Sequence, residues 1–147
     1  MTNEHLHFMR RAIFLAREGK AKGNGAFGAV IVKNNKIIAE GHNVVTENKD
    51  CTQHAELSVI QKACNALDSK TLKGCTLYTS CIPCMMCLGA SYWAKIEAIY
   101  YGASAKDAKD FGFIYTNMYY AYSEENRTKE FNLIQLLRDE AIAVWTE

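Results

Sequence analysis

The chain has 147 residues, 49% of them hydrophobic and 22% charged, and 17 Lys and Arg against 16 Asp and Glu leave a formal net charge of +1. That length suits one domain with its own core, so residues 1–147 read as a single domain without need of disulfide or metal staples. The near-neutral balance excludes attachment to nucleic acid or membrane mainly through bulk charge. No apolar stretch reaches the roughly 18 residues of a membrane span, and the start Met1-Thr2-Asn3-Glu4-His5 lacks the basic and apolar runs of a secretory leader. A cytoplasmic protein is expected.

Leu6, Met9, Ile13 and Ala16 recur at helical spacing, with Thr2 or Asn3 as the cap and Gly19 near the stop. Gly23-Asn24-Gly25 makes a loop. Phe27 to Lys33 reads as a strand, Asn34-Asn35 as a two-residue turn, and Ile37-Ile38-Ala39 as the hairpin partner. A polar loop from Val44 to Thr52 leads to a second helix capped by Thr52, whose apolar stripe is Leu57, Ile60, Cys64 and Leu67. Cys75 to Thr79 is a short strand. Pro83 suits the first turn of a third helix running to about Trp93. Ala98 to Tyr101 is another strand, followed by helical pieces near 105–121, a strand near 130–135 and a last helix near 138–146. This order predicts an α/β fold, a mixed sheet with helices packed on its faces. Residues 1–50 hold eight basic and five acidic side chains and residues 123–147 three and six, a difference of solvated faces rather than of domains.

Six cysteines are present, and Cys81, Cys84 and Cys87 follow one another at three-residue steps. Such clustering in a chain of this length points to metal or redox chemistry rather than a disulfide framework. His54-Ala55-Glu56 opens the second helix and Pro83-Cys84-Met85-Met86-Cys87 the third. Cys84 and Cys87 share a helical face, and a helix N-terminus favours thiolates. One imidazole and two thiolates suit one Zn²⁺ per chain, with the fourth position left to water. Glu56, two residues from His54, would sit beside that water without binding the metal. H-x-E…P-C-x-x-C is the signature of zinc nucleobase deaminases. Zinc lowers the pKa of bound water toward about 7, so the expected nucleophile is hydroxide, with Glu56 as proton shuttle. Backbone N–H groups near Ala55 and Cys84, free at their helix ends, are candidate contacts to the substrate. Three other readings stay open: Cys81 as a fourth ligand closing a structural Cys₃His site, a redox pair among the three cysteines, and buried core cysteines with a surface histidine.

With these residues, the chain over roughly 5 to 102 resembles the cytidine/deoxycytidylate deaminase superfamily. Within it, Phe27-Gly28-Ala29-Val30-Ile31-Val32-Lys33, Gly41-His42-Asn43, Thr52-Gln53-His54-Ala55-Glu56, Tyr78-Thr79-Ser80-Cys81, Met86-Cys87-Leu88-Gly89-Ala90 and Tyr92-Trp93-Ala94 are similar to bacterial guanine deaminases. The resemblance implies a three-layer α/β/α sandwich around a five-stranded sheet, with zinc between two helix N-termini, and a homodimer. It also implies that Phe27 stacks on a purine, Asn43 hydrogen-bonds it and Trp93 lines the pocket. The residues alone allow Phe27 as plain core, Asn43 as a turn residue and Trp93 as core.

The departures concern the substrate. Ile82 stands where the family usually has Glu, and Cys51 and Gln53 replace Pro and Ala. Gly112-Phe113-Ile114-Tyr115 lacks the acidic residues that follow Gly-Phe in guanine deaminases, and Glu147 comes short of their longer tail, which reaches a neighbouring subunit. Of the run Tyr115, Tyr119, Tyr120 and Tyr122, packing is expected, with one tyrosine near the site. The expected substrate is a small heterocyclic base or nucleoside, a purine such as guanine first. Transfer RNA is the alternative partner, disfavoured by Ala26-Phe27-Gly28 and by the net acidic last 25 residues. Cytosine- or cytidine-type deamination and a non-catalytic zinc module are the remaining alternatives.

Overall fold

A computed structural model of the chain describes residues 2–147, Met118 by its backbone alone. The first apolar period builds α1 (Asn3–Ala21), which buries Phe8, Met9, Ala12, Ile13, Leu15 and Ala16. The helix runs through Gly19 instead of stopping there, and the glycine is needed for packing: a Cβ on it would stand 2.9 Å from the His42 Cβ. β1 (Gly28–Lys33) and β2 (Lys36–His42) form the expected hairpin, with Phe27 just ahead of β1. Asn34 and Asn35 join them at φ 51° and 61°, the pair of positive angles that matches strand twist.

The stretch expected as loop holds one helical turn, α2 (Val45–Asn48). α3 (Ala55–Leu67) starts later than expected, with His54 at the N-cap position. Thr52 does not cap it, because it lies two residues ahead of that position, where its hydroxyl donates to Asp50 at 2.6 Å. The buried face of α3 comprises Ala55, Glu56, Val59, Ile60 and Ala63. Leu57, Cys64 and Leu67 of the expected stripe are only half-buried; turning Glu56 inward rotates the helix away from them.

β3 (Thr76–Cys81), α4 (Met85–Ala94) and β4 (Ala98–Ala103) follow. Pro83 lies outside α4, ahead of the N-cap Cys84, rather than in its first turn. Beyond β4 come α5 (Ala105–Asp110), α6 (Asn117–Ala121), α7 (Glu124–Glu130), β5 (Leu133–Gln135) and α8 (Arg138–Thr146). α5 opens on a reciprocal cap between Ser104 and Asp107. α7, with no counterpart in the sequence reading, is polar on nearly every side (EENRTKE) and shows no apolar period.

The sheet order is β2-β1-β3-β4-β5, with β1 antiparallel to both neighbours and β3, β4 and β5 parallel. α1 and α8 cover one face, and α3 and α4 pack together on the other. The three-layer α/β/α sandwich around a mixed sheet is as expected. Two glycines permit the close layer contacts: a Cβ on Gly28 would stand 2.1 Å from the Ala12 carbonyl oxygen, and one on Gly102 2.4 Å from the Ala141 Cβ. No helix among the described residues is long and apolar enough to cross a membrane.

Candidate active site

The N-termini of α3 and α4 meet at the end of the sheet where β1 begins and β3 finishes. His54 and Cys84 occupy the two N-cap positions in extended backbone, and Cys87 lies in the first turn of α4. Their donor atoms lie within 4.8 Å of one another. His54 Nδ1 is 3.6 Å from Cys84 Sγ and 3.8 Å from Cys87 Sγ. Tetrahedral zinc bonds of about 2.3 Å to sulfur and 2.0–2.1 Å to nitrogen span an N···S edge of about 3.6 Å. The three side chains therefore fit zinc, and their softness suits it.

The electrostatics place a thiolate at Cys84. A hydrogen bond from Cys87, followed by one from His54, draws the Cys84 thiol down to about 4. Cys87 is pushed up by its bond to Cys84 and by burial. The same Cys84 sulfur holds the His54 imidazole above its ordinary value. Glu56 is 6% exposed in the first turn of α3. Burial, and then the negative charge at Cys84, push its carboxyl up to about 7, the range in which one group both takes and returns a proton near neutrality.

A cavity of about 70 Å³ opens over this cluster, lined by Phe27, Asn43, His54, Glu56, Cys81, Cys84 and Tyr115. Phe27, from the end of the loop before β1, is held edge-on by Phe113 at 5.1 Å and Trp145 at 5.8 Å. Asn43 follows β2, its backbone N–H donating to the Phe27 carbonyl at 2.9 Å. Its Oδ1 accepts the Val45 N–H at 3.0 Å, which leaves the amide hydrogens for a ligand. A wider, apolar mouth of about 410 Å³ continues outward past Met85, Met86, Phe113 and Ile114.

One expected contact stands elsewhere. Trp93 is 79% exposed; six residues beyond Cys87, it has turned about 240° around α4 and faces away from the cavity, stacked edge-on with Tyr92. It is neither pocket wall nor core. The Ala55 side chain is fully buried at the start of α3 and outside the lining, and the contact expected there is through its backbone N–H. Cys81 reaches the cavity but not the metal cluster: its Sγ lies 3.3 Å from the Tyr115 hydroxyl, and burial pushes its thiol up to about 12. Tyr115 is the tyrosine of the aromatic run that reaches the site. Trp145 carried no motif in the sequence, and only the tertiary contact with Phe27 marks it.

A three-layer sandwich with His-x-Glu at one helix start and Cys-x-x-Cys at the next defines a zinc-dependent aminohydrolase. The chain belongs to the cytidine and deoxycytidylate deaminase family, whose zinc-binding region matches residues 2–103. It is similar to the guanine deaminase of Bacillus subtilis (strain 168), 54% identical over 110 residues that cover 74% of this chain and 70% of that relative. A tRNA-specific adenosine deaminase of Aquifex aeolicus is 41% identical over 108 residues, covering 74% and 70%. The solved guanine deaminase of Nitrosomonas europaea superposes with a TM-score of 0.86 at 26% identity, covering 99% of this chain and 83% of that one.

Proposed function

We propose that this protein deaminates guanine hydrolytically, giving xanthine and ammonia. The observation that carries the reading is the cavity lining: Phe27 offers an aromatic face, Asn43 amide hydrogens and Glu56 a carboxyl, with no Lys or Arg among them. The lining offers groups for a flat, uncharged base and no cation for a phosphate. The similarity to guanine deaminases over both sequence and fold supports guanine as that base.

In this reading His54, Cys84 and Cys87 hold the zinc, which when bound supplies a Lewis acid that activates water. Phe27 stacks on the base and Asn43 donates to its carbonyl oxygen. The Ala55 N–H, at the helix start, is the remaining backbone donor assigned to the substrate. Glu56 takes a proton from the attacking water and delivers it to the ring nitrogen beside the carbon that bears the amine. The C–O bond forms there. Glu56 then carries the second water proton to the amine, the C–N bond breaks, and ammonia leaves. Atoms balance as guanine plus water.

A second reading, deamination of an adenosine in tRNA, rests on the 41% identity to the Aquifex enzyme. The mouth disfavours it, because Met85, Met86, Phe113 and Ile114 offer nothing to a phosphate backbone. Ammonia release by the zinc-quantified protein, measured across guanine, adenine, cytosine, cytidine and a tRNA anticodon stem, separates them. Turnover of guanine well above the others is expected. Turnover of the RNA alone, weakening as salt rises, would overturn the guanine reading.

The homodimer and the cytoplasm belong to the same proposal. Met86, Tyr92 and Trp93 expose an apolar side of α4 that a second copy of the chain would cover. All six cysteines are free thiols, as a reducing compartment keeps them. A sedimentation mass of one chain would overturn the dimer.

A further inference from the structure

The cavity contains one carboxyl group, Glu56, and its second polar wall is made by two neutral groups, Cys81 and Tyr115. The Tyr115 hydroxyl donates to the Ile82 carbonyl oxygen, so its hydrogen is committed and its oxygen acts as an acceptor. Cys81 Sγ, 3.3 Å away, is then the donor to that oxygen. A thiol is a weak donor, so a ring N–H that enters the cavity can take its place on the phenol oxygen. The ring is fixed in place: Tyr119 packs edge-on against it at 4.8 Å, and the Tyr115 backbone N–H donates to the Tyr120 hydroxyl at 3.0 Å.

Asn43 has the opposite polarity. With Oδ1 engaged by Val45, it offers N–H donors. The cavity thus presents one neutral acceptor and one neutral donor around a base whose face rests on Phe27.

We propose that Tyr115 determines specificity at this site: its phenol oxygen accepts the ring N–H of an oxopurine, while Asn43 donates to the adjacent carbonyl oxygen. The inference rests on the guanine reading and deepens it. A base with an N–H beside a C=O satisfies both groups. Adenine places an acceptor nitrogen and an amino donor on the same edge, which sets acceptor against acceptor and donor against donor. In this chain a phenol and a thiol occupy the polar wall that could otherwise hold a second carboxylate, so selection runs through neutral hydrogen bonds.

The test compares guanine with 2-aminopurine, which carries the same leaving amine but neither the six-ring N–H nor the carbonyl. In Tyr115→Phe, with zinc content equal to wild type, kcat/KM for guanine should fall about tenfold while that for 2-aminopurine is kept. An equal fall for both would make Tyr115 a packing residue and overturn the proposal. A zinc-loaded wild-type protein that turns over neither base would overturn the guanine reading, and this proposal with it. Should Tyr115→Phe fail to fold, inhibition of the wild-type enzyme decides. Hypoxanthine, which keeps the N–H, should bind at least about tenfold tighter than 1-methylhypoxanthine, and equal inhibition would overturn the assignment.

Discussion

The indole N–H of Trp145 donates to the carbonyl oxygen of Ala26 at 3.0 Å, which ties the last helix of the chain to the residue before Phe27. The same indole packs against Phe27 at 5.8 Å, Phe113 at 5.0 Å and Phe111 at 5.4 Å. The aromatic wall of the cavity is therefore assembled from both ends of the chain. Trp145→Ala should destabilise the fold by about 2 kcal/mol, below the range for a fully buried aromatic because the indole is half-buried. It should also raise KM for the base more than it lowers kcat, as Phe27 loses its support. Thermal unfolding and steady-state kinetics on the variant check both parts, and Trp145→Phe should restore most of the stability.

Glu56 stands apart from the metal donors, and its removal separates chemistry from folding. Glu56→Gln should keep one zinc per chain and lose turnover by about 10²–10⁴ or more, the usual worth of general acid–base help. Retained deamination in that variant would refute the proton-shuttle role.

The donor cluster makes a sharper statement about the cysteines. His54→Ala, Cys84→Ala and Cys87→Ala should each lower bound zinc well below one per chain after dialysis, whereas Cys81→Ala should not. Elemental analysis reads this directly. Loss of zinc from the Cys81 variant would restore the closed four-ligand site that the 3.3 Å contact to Tyr115 argues against.

The buried carboxyl also predicts a pH dependence in chelator-treated protein. Its folded value of about 7 exceeds the ordinary 4.5, so the folded state holds the proton more tightly than the unfolded one. The stability gained from that proton is fully present below about 4.5 and is lost as pH rises through about 7. Glu56→Gln has no such group to ionise. The variant's stability advantage over wild type should widen from pH 5 to 8, by up to about 3 kcal/mol if the whole shift is expressed. Parallel unfolding curves at the two pH values would show that Glu56 does not titrate in that window.

Where the local code is periodic or chemical, the sequence is readable. The positions of β1, β2, β4 and α8, the Asn34-Asn35 turn and the donor set all follow from neighbours within a few residues. Helix starts were harder to place. Thr52 looks like a cap, but α3 starts at Ala55 with His54 in the cap position, and Pro83 looks like a first-turn residue, but Cys84 takes the cap position after it. α7 is invisible to a pattern search because it is polar on nearly every side.

The sequence by itself determined the chemistry: His54-x-Glu56 and Cys84-x-x-Cys87 are local spacings, and each sets its side chains at the start of one helix. It also determined the fold class, because strand and helix periods are properties of short segments. Only the tertiary structure decided what surrounds that chemistry. It turned Trp93 to the outside, brought Tyr115 and Cys81 to the cavity, and set Trp145 behind Phe27, 118 positions away along the chain. Such contacts depend on how layers pack across the sheet, and close packing between distant segments leaves no periodic mark in the residues that make it.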